Sequence, residues 1–364
     1  MLDNPRFKKF LTGSAVPLLF LAISLVSALI SQITGVAIIR DVVERLSRDS
    51  FLVLSLILPV IAGMGINFGM VLGAMAAQIG LVFVLSWGVP GVPGLLLAAL
   101  IGTPISVLLG WFGGMVLNRA KGREMITSMM LGLFISGVYQ FFLLYMCGTV
   151  IPIPSTKTVL SQGYGIRNSL ALEGVKKAFD NILKLRVGTV IIPVGTFAIV
   201  GLLCLFTWWF RNTRMGQNMR ATGQDMGVSE SAGINVEKNR IQSIIISTVL
   251  ACYGQIIYLQ NIGSLNTYNG ADQAALFAAA ALLVGGASVS HATIWNAILG
   301  TSLFHLMFVV LPKAGANLTG SAQIGEYLRM FVSYAVVTTA LVIHAWKQQK
   351  DKETDRLRLR QRRN

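Results

Sequence analysis

Apolar and polar positions along this 364-residue chain come in long blocks, not in the short periods of a soluble fold. Behind a short basic start at residues 4–9 (NPRFKK), residues 15–39 form a first apolar run. Others follow at 51–87, 95–117, 125–146, 189–210, 241–260, 273–286, 291–311 and 322–346. A helix needs roughly 20 apolar residues to cross a bilayer, and the 51–87 run is long enough for two, which gives about ten crossings. The pattern therefore predicts an all-α fold, a polytopic membrane helical bundle. The first run begins like a signal peptide but exceeds the roughly 7–15 apolar residues of one, so it reads as an uncleaved span.

The 51–87 run is interrupted by Gly63, Met64, Gly65, Ile66, Asn67, Phe68 and Gly69. Glycine weakens a helix because it lacks the side chain that restricts the backbone. This predicts one broken helix pair near Gly63–Gly69, placed in mid-membrane. Either the break lines a wet pathway, or it is a tight hairpin or close helix crossing through small residues. Gly110, Gly113 and Gly114 predict another close-packing face.

The polar segments set the topology. Residues 118–124 (NRAKGRE) carry three positive charges and belong in the cytoplasm by the positive-inside rule. So does 211–240, a basic insert bounded tightly by apolar runs, with Arg211, Arg214, Arg220, Lys238 and Arg240 against Asp225, Glu230 and Glu237. Parity then places both termini in the cytoplasm, and a charged loop at 40–50 and a short loop at 313–320 outside. The 147–188 insert also falls outside; it starts near Ile151, Pro152, Ile153 and Pro154 and holds an amphipathic segment at 172–185, read as an interfacial or partner-facing helix. Residues 1–14 form the cytoplasmic start, 15–346 the transmembrane domain and 347–364 a basic cytoplasmic tail.

Composition narrows the chemistry. Apolar residues make up 54% of the chain and charged residues 12%, about half the charge of a soluble domain. The formal charge of +15 belongs to loops and to the tail, whose Arg356, Arg358, Arg360, Arg362 and Arg363 suit an anionic membrane lipid surface; no nucleic acid partner is implied. Cys147, Cys204 and Cys252, and His291, His305 and His344, show no paired or metal-ligand spacing, so neither a metal nor a cofactor is expected. Phosphate-cradling loops, nucleophile elbows and zinc helices are absent from the sequence, which gives enzyme function no support. The apolar runs hold almost no ionisable groups, with Asp272, Glu326 and Arg329 near their ends. Polar candidates for a translocation pathway are neutral: Asn67, Gln78, Gln140, Gln255, Gln260 and Asn296. Each could equally serve as a helix-to-helix hydrogen bond. This is the profile of a transporter without its own motor.

The 211–240 insert carries a recognisable order of residues. Asn212, Thr213, Arg214, Met215 and Gly216 precede Arg220, Ala221, Thr222, Gly223, Gln224 and Asp225, and then Ser231, Ala232, Gly233, Ile234, Asn235 and Val236. The series resembles the signature loop of the permease (transmembrane) subunits of ABC importers for ribose and other simple sugars, nucleosides and branched-chain amino acids. Residues 120–123 and the small-residue stretch 278–288, ending in a Gly-Gly turn, extend the likeness. Gly65-Ile66-Asn67-Phe68 resembles a stretch where sugar members carry an acid in place of Asn67, and the 147–188 insert has no close counterpart.

The resemblance implies ABC ATPase subunits, a second permease subunit (identical or related) and an extracytoplasmic solute-binding protein as partners, in a bacterial inner membrane. It implies an ATPase-docking loop containing Gly216, Arg220, Ala221, Gly223, Asp225, Ser231 and Gly233. Residues 217–233 are expected to form one short docking helix ended by Gly233, a good C-cap residue. Arg211, Arg214, Lys238 and Arg240 then read as topology anchors. The expected function is import of a small polar solute, a simple sugar first and a nucleoside next. The alternative is an ATP-independent channel or facilitator for small neutral solutes.

Overall fold

The structure is a computed structural model that describes the backbone of residues 5–154, 158–288, 290–332, 334, 335, 338, 339 and 342, and side chains from residue 16 onward. Helices follow in the order α1 (Pro5–Ser31), α2 (Gly35–Ser55), α3 (Ile57–Ile61), α4 (Val71–Trp87), α5 (Gly91–Arg119), α6 (Glu124–Phe141) and α7 (Ala178–Ile182). After these come α8 (Val194–Asn212), α9 (Arg214–Gln224), α10 (Met226–Ser231), α11 (Val236–Ile262), α12 (Gly270–Val284) and α13 (Ile294–Thr319). A 3-10 turn, Phe68–Met70, leads into α4, and a π turn, Phe142–Met146, extends α6.

Among the described residues, six helical stretches are long and apolar enough to cross a membrane: Phe68–Trp87, Gly91–Arg119, Glu124–Met146, Val194–Asn212, Val236–Ile262 and Ile294–Thr319. Val16–Ser31 and Gly270–Val284 are shorter apolar helices. The chain is thus a multi-pass membrane protein built as a helical bundle. It departs from a purely α fold in two small antiparallel pairs, β1 (Ser169–Ala171) with β4 (Ser264–Asn266) and β2 (Lys184–Val187) with β3 (Val190–Pro193).

Apolar side chains cannot drive helices together inside lipid, so close approach through small residues must do so. α4 is apolar around its whole circumference and is the most enclosed span. A methyl group at Gly73 would overlap the Thr248 carbonyl and lie 2.9 Å from Ala251 Cβ of α11. The expected glycine face of α5 also packs on α11: added methyl groups at Gly110 and Gly114 would lie 3.0 Å from Ile245 Cα and 3.1 Å from Ile241 Cα. On α1, Phe20, Ser24, Ser27 and Ser31 are buried. Asn317 of α13 donates to the Ile30 and Ser31 carbonyls at 3.0 and 3.1 Å.

Several expectations are corrected. Residues 40–50 are not a loop but the middle of α2. Most of their charges are paired, Arg40 with Asp41, Arg48 with Asp49 and Glu44 with Lys177. The helix break exists, with Gly63 and Gly65 at φ +75° and +72°, but it lies against α9, at the same end of the bundle as the 211–240 loop. Segment 172–185 is not one amphipathic helix, since only Ala178–Ile182 is helical before the chain turns into β2.

That segment is pinned by polar bonds. Buried Asp180 accepts from Asn261 Nδ2 at 2.8 Å, Gln260 Nε2 at 3.3 Å and the Thr196 hydroxyl, and Lys177 reaches Glu44 of α2 at 2.8 Å. The 347–364 tail and most of the end of the last apolar run lie outside the described residues. Residues 322–332 are helical and pack on α13, with Gly325 against the Pro312 carbonyl.

The tight glycine contacts make a direct prediction. A methyl group at Gly300 would overlap the Ala281 carbonyl and lie 2.7 Å from the Gly285 nitrogen, both backbone atoms. Gly300→Ala should therefore destabilise the bundle by about 1–3 kcal/mol, the range for overpacking. Thermal unfolding in detergent should show a lowered Tm, while Gly201→Ala, inside α8 where the added atom meets nothing within 4 Å, should not lower it.

Candidate functional site

The 211–240 segment is folded throughout. Thr213 ends α8 and caps α9 by accepting from the Gly216 nitrogen at 3.2 Å. Buried Gly216 lets this turn close, since a methyl there would lie 2.8 Å from Arg211 Cα. Met219 and Thr222 bury the inner face of α9. The expected single helix over 217–233 is instead two. Asp225 takes an extended backbone, which stops α9, and its carboxylate accepts from the Val228 nitrogen at 3.0 Å to start α10. Gly233, at φ +79°, ends α10 as expected. Its nitrogen bonds the Glu230 carbonyl and the Ile234 nitrogen the Ser229 carbonyl, both at 3.0 Å, the paired pattern of a Schellman cap.

The loop residues divide by direction. Arg220, Asp225, Ser231 and Gly233 are exposed, together with Val228, an apolar side chain 67% accessible on α10. Ala221 and Gly223 are half-buried and Gly216 is buried. Gly223 closes on the break after α3: a methyl there would overlap the Ile61 carbonyl and lie 2.9 Å from the Gly63 nitrogen. Beside this contact a small cavity is lined by Ile61, Arg211, Arg220, Gly223, Gln224, Ser290, His291 and Ala292. The loop thus meets two turns of the bundle, the broken pair at 62–67 and the turn between α12 and α13.

Arg240 departs most from its expected role. It is wholly buried, its guanidinium donating to Glu124 at the head of α6 at 2.5 Å and lying 3.2 Å from Met226 Sδ at the head of α10. One side chain therefore ties together α6, α10 and α11. No local motif announces this pair, because 116 residues separate its members in sequence.

The six pathway candidates do not form one site, and Gln260 belongs to the Asp180 cluster. Gln78 and Gln140 face the same segment, residues 266–268: Gln78 Nε2 donates to the Asn266 carbonyl at 3.3 Å and Gln140 Nε2 to the Tyr268 carbonyl at 3.5 Å. Sequence reasoning missed two neighbours, Tyr139, which donates to Gln78 Oε1 at 2.6 Å, and Ser136, which donates to Asp272 at 3.0 Å. Helical spacing places Ser136, Tyr139 and Gln140 on one face, a signal available in the sequence. Asn67 caps the turn after the break, accepting from the Gly69 nitrogen at 2.9 Å. Asn296 closes a capping box with Thr293 and donates to the Gly285 carbonyl at 2.7 Å. Gln255 is buried in α11 with neither amide atom partnered among the described residues.

Ionisable groups from outside the apolar runs also pack into the bundle. Buried Asp49 of α2 lies 2.9 Å from Arg48 Nε and 3.0 Å from His305 Nε2 of the apolar helix α13. Such groups are costly in a membrane interior unless paired, as these are.

The Arg240–Glu124 pair makes a prediction that separates pairing from packing. Glu124→Ala should cost about 3–5 kcal/mol, because it leaves a buried guanidinium uncompensated. The double change Glu124→Leu with Arg240→Met should recover most of that loss. Denaturation of the two proteins in matched detergent checks the order, and equal losses would contradict it.

Comparison with known proteins follows the same lines. A profile described as branched-chain amino acid transport system / permease component matches residues 48–341. The ribose import permease RbsC of Escherichia coli K12 is 29% identical over 151 residues, covering 41% of this chain and 45% of that protein. The galactose/methyl galactoside import permease MglC of Haemophilus influenzae is 26% identical over 161 residues, covering 44% and 45%. The aligned region thus spans less than half the length of these two relatives. The nucleoside ABC transporter permease NupB of Lactococcus lactis subsp. cremoris is 25% identical over 284 residues, covering 76% of this chain and 70% of that protein. No solved structure matches the chain. With most of its length matched by the profile, the chain belongs to the family of branched-chain amino acid transport system permease components.

Proposed function

We propose that this chain is the membrane permease subunit of an ATP-driven ABC importer and forms the translocation pathway for a small polar solute. The observation that carries the reading is the two-sided 211–240 loop, with an apolar residue presented outward on α10 and Gly223 seated inward on the Ile61–Gly63 turn. A simple sugar is the first candidate for the solute and a nucleoside the second, on the names of the ribose, galactose and nucleoside relatives. The proposed partners are two ABC ATPase subunits, a second permease subunit and an extracytoplasmic solute-binding protein.

In this reading the chain crosses the membrane about ten times, with both ends cytoplasmic; the apolar length of its runs supports the count and the basic 118–124 and 211–240 segments support the orientation. The ATPase holds the exposed surface formed by Arg220, Asp225, Val228, Ser231 and Gly233. Closure of the paired ATPases displaces α10 and α9. Gly216 and Gly223, packed without side chains, pass that displacement to α8 and to the broken pair, and Arg240 passes it to α6. Coupling requires such an element, whose two arrangements both sites bias. Solute passes by the polar cluster of Gln78, Tyr139, Gln140 and Asp272, while Asn67 and Asn296 hold the surrounding turns.

Reconstitution with its ATPase and binding protein tests the proposal by ATP-dependent uptake of ribose, galactose and nucleosides. Val228→Asp should weaken ATPase binding about tenfold or more, the scale of a buried interface anchor, and abolish uptake at unchanged Tm, because this side chain is largely exposed. Uptake that persists in this variant argues against the docking surface. Uptake by the permease alone, without ATP, would favour the facilitator.

A further inference from the structure

A cavity of about 420 Å³ opens between α2, the end of α11 and the 147–193 segment, far in sequence from the loop already described. It is lined by Arg45 and Arg48 of α2, by Lys176 and Lys177 of the insert, and by Asp41, Glu44, Asn261 and Ile262. Arg45 and Arg48 stand three residues apart on one helix, so their side chains share a face. The lysines come from the insert, held there by the bond from the Lys177 nitrogen to the Gln260 carbonyl at 2.7 Å and by the Asp180 cluster.

Four cations against two carboxylates leave a surplus of two positive charges in this lining. The carboxylates are already engaged, Asp41 with Arg40 at 3.1 Å and Glu44 with Lys177 at 2.8 Å. Arg48 is held by Asp49 at 2.9 Å and lies 5.4 Å from the centre of the Tyr258 ring. Two cations remain. Half-buried Arg45 and exposed Lys176 make no side-chain hydrogen bond or ion pair among the described residues. The Lys176 stem lies across Gly263, and the residue lines the cavity.

We propose that this cavity is a binding site for a phosphate-bearing anion, taken between the Arg45 guanidinium and the Lys176 ammonium. A guanidinium offers a planar fork that matches two phosphate oxygens, and an ammonium adds a point charge. The anion supplies what the lining lacks, a partner for a partly desolvated guanidinium. The volume is ample for inorganic phosphate or for the phosphate and glycerol of a lipid headgroup. Because the two cations come from α2 and from the insert, the bound anion fastens the insert to the bundle. The inference goes beyond the transport reading and does not rest on it.

The test uses the full chain in nanodiscs of phosphatidylcholine, whose headgroup has no net charge, in buffer free of phosphate and sulfate at constant ionic strength. Added inorganic phosphate should raise the Tm of the wild-type protein. Arg45→Gln and Lys176→Gln should each raise the half-saturating phosphate concentration about tenfold, the effect of one lost charge-assisted bond, and Arg214→Gln in the remote loop should leave it unchanged. If inorganic phosphate does nothing but phosphatidylglycerol in the nanodisc raises the Tm of wild type and not of the two variants, the same cavity takes a lipid phosphate. Lys176 is exposed, so its variant reads binding even where Arg45→Gln folds poorly. A wild-type Tm indifferent to both sources, or a response undiminished in both variants, overturns the proposal.

Discussion

Gly223 and the Ile61–Gly63 turn meet backbone to backbone, with no side chain between them. A contact of that kind has no rotamers to absorb movement, so a shift of α9 must shift the turn or break the contact. The arrangement of the loop end of the bundle depends on it. Gly63 adopts a left-handed backbone that lets the chain leave α3 and approach α9. Asp225 then stops α9 immediately after the contact and starts α10 in a new direction. The glycine break is a junction with the polar loop as well as a weakness in a helix.

Arg240 makes the same connection by charge. Buried and bonded to Glu124, it fixes the starts of α6 and α11 to each other and to α10. Such a pair is not an obvious source of stability, since removing two ions from water offsets much of their attraction. Its value lies in geometry, for the low-dielectric surroundings make separation costly and hold three helix ends in register. The Asp49, Arg48 and His305 cluster does comparable work between α2 and α13. These two sets of buried charges thus occur where helices are joined, and each is paired there.

Much of this architecture is legible in the sequence because lipid imposes a simple rule on length and polarity. The apolar runs, the glycine face of α5, the break near Gly63 and the Gly233 cap all follow from local composition. Residues 40–50 defeat that reading because most of their charges find partners, in the next residue or on the distant Lys177, and leave a helix where composition suggests a loop. Arg240 defeats it for the opposite reason, since its partner lies on another helix and nothing nearby marks it. The pathway candidates split on the same ground: Gln78 and Gln140 meet only because residues 266–268 fold back over both. Asn67 and Asn296 are helix caps, a local role that their neighbouring Gly69 and Thr293 could have suggested.

The proposed coupling requires the loop and the two turns beneath it to move as one body. Gln224 and His291 are exposed and line the same small cavity, one on the loop and one on the turn between α12 and α13. Cysteines placed at both positions can be joined by a short reducible crosslinker in the assembled transporter, and ATP-dependent uptake measured before and after joining. A loop that transmits motion as a rigid unit with these turns predicts that uptake survives the crosslink. Uptake lost on crosslinking and restored on reduction would show that the loop must separate from the bundle, and would contradict this account.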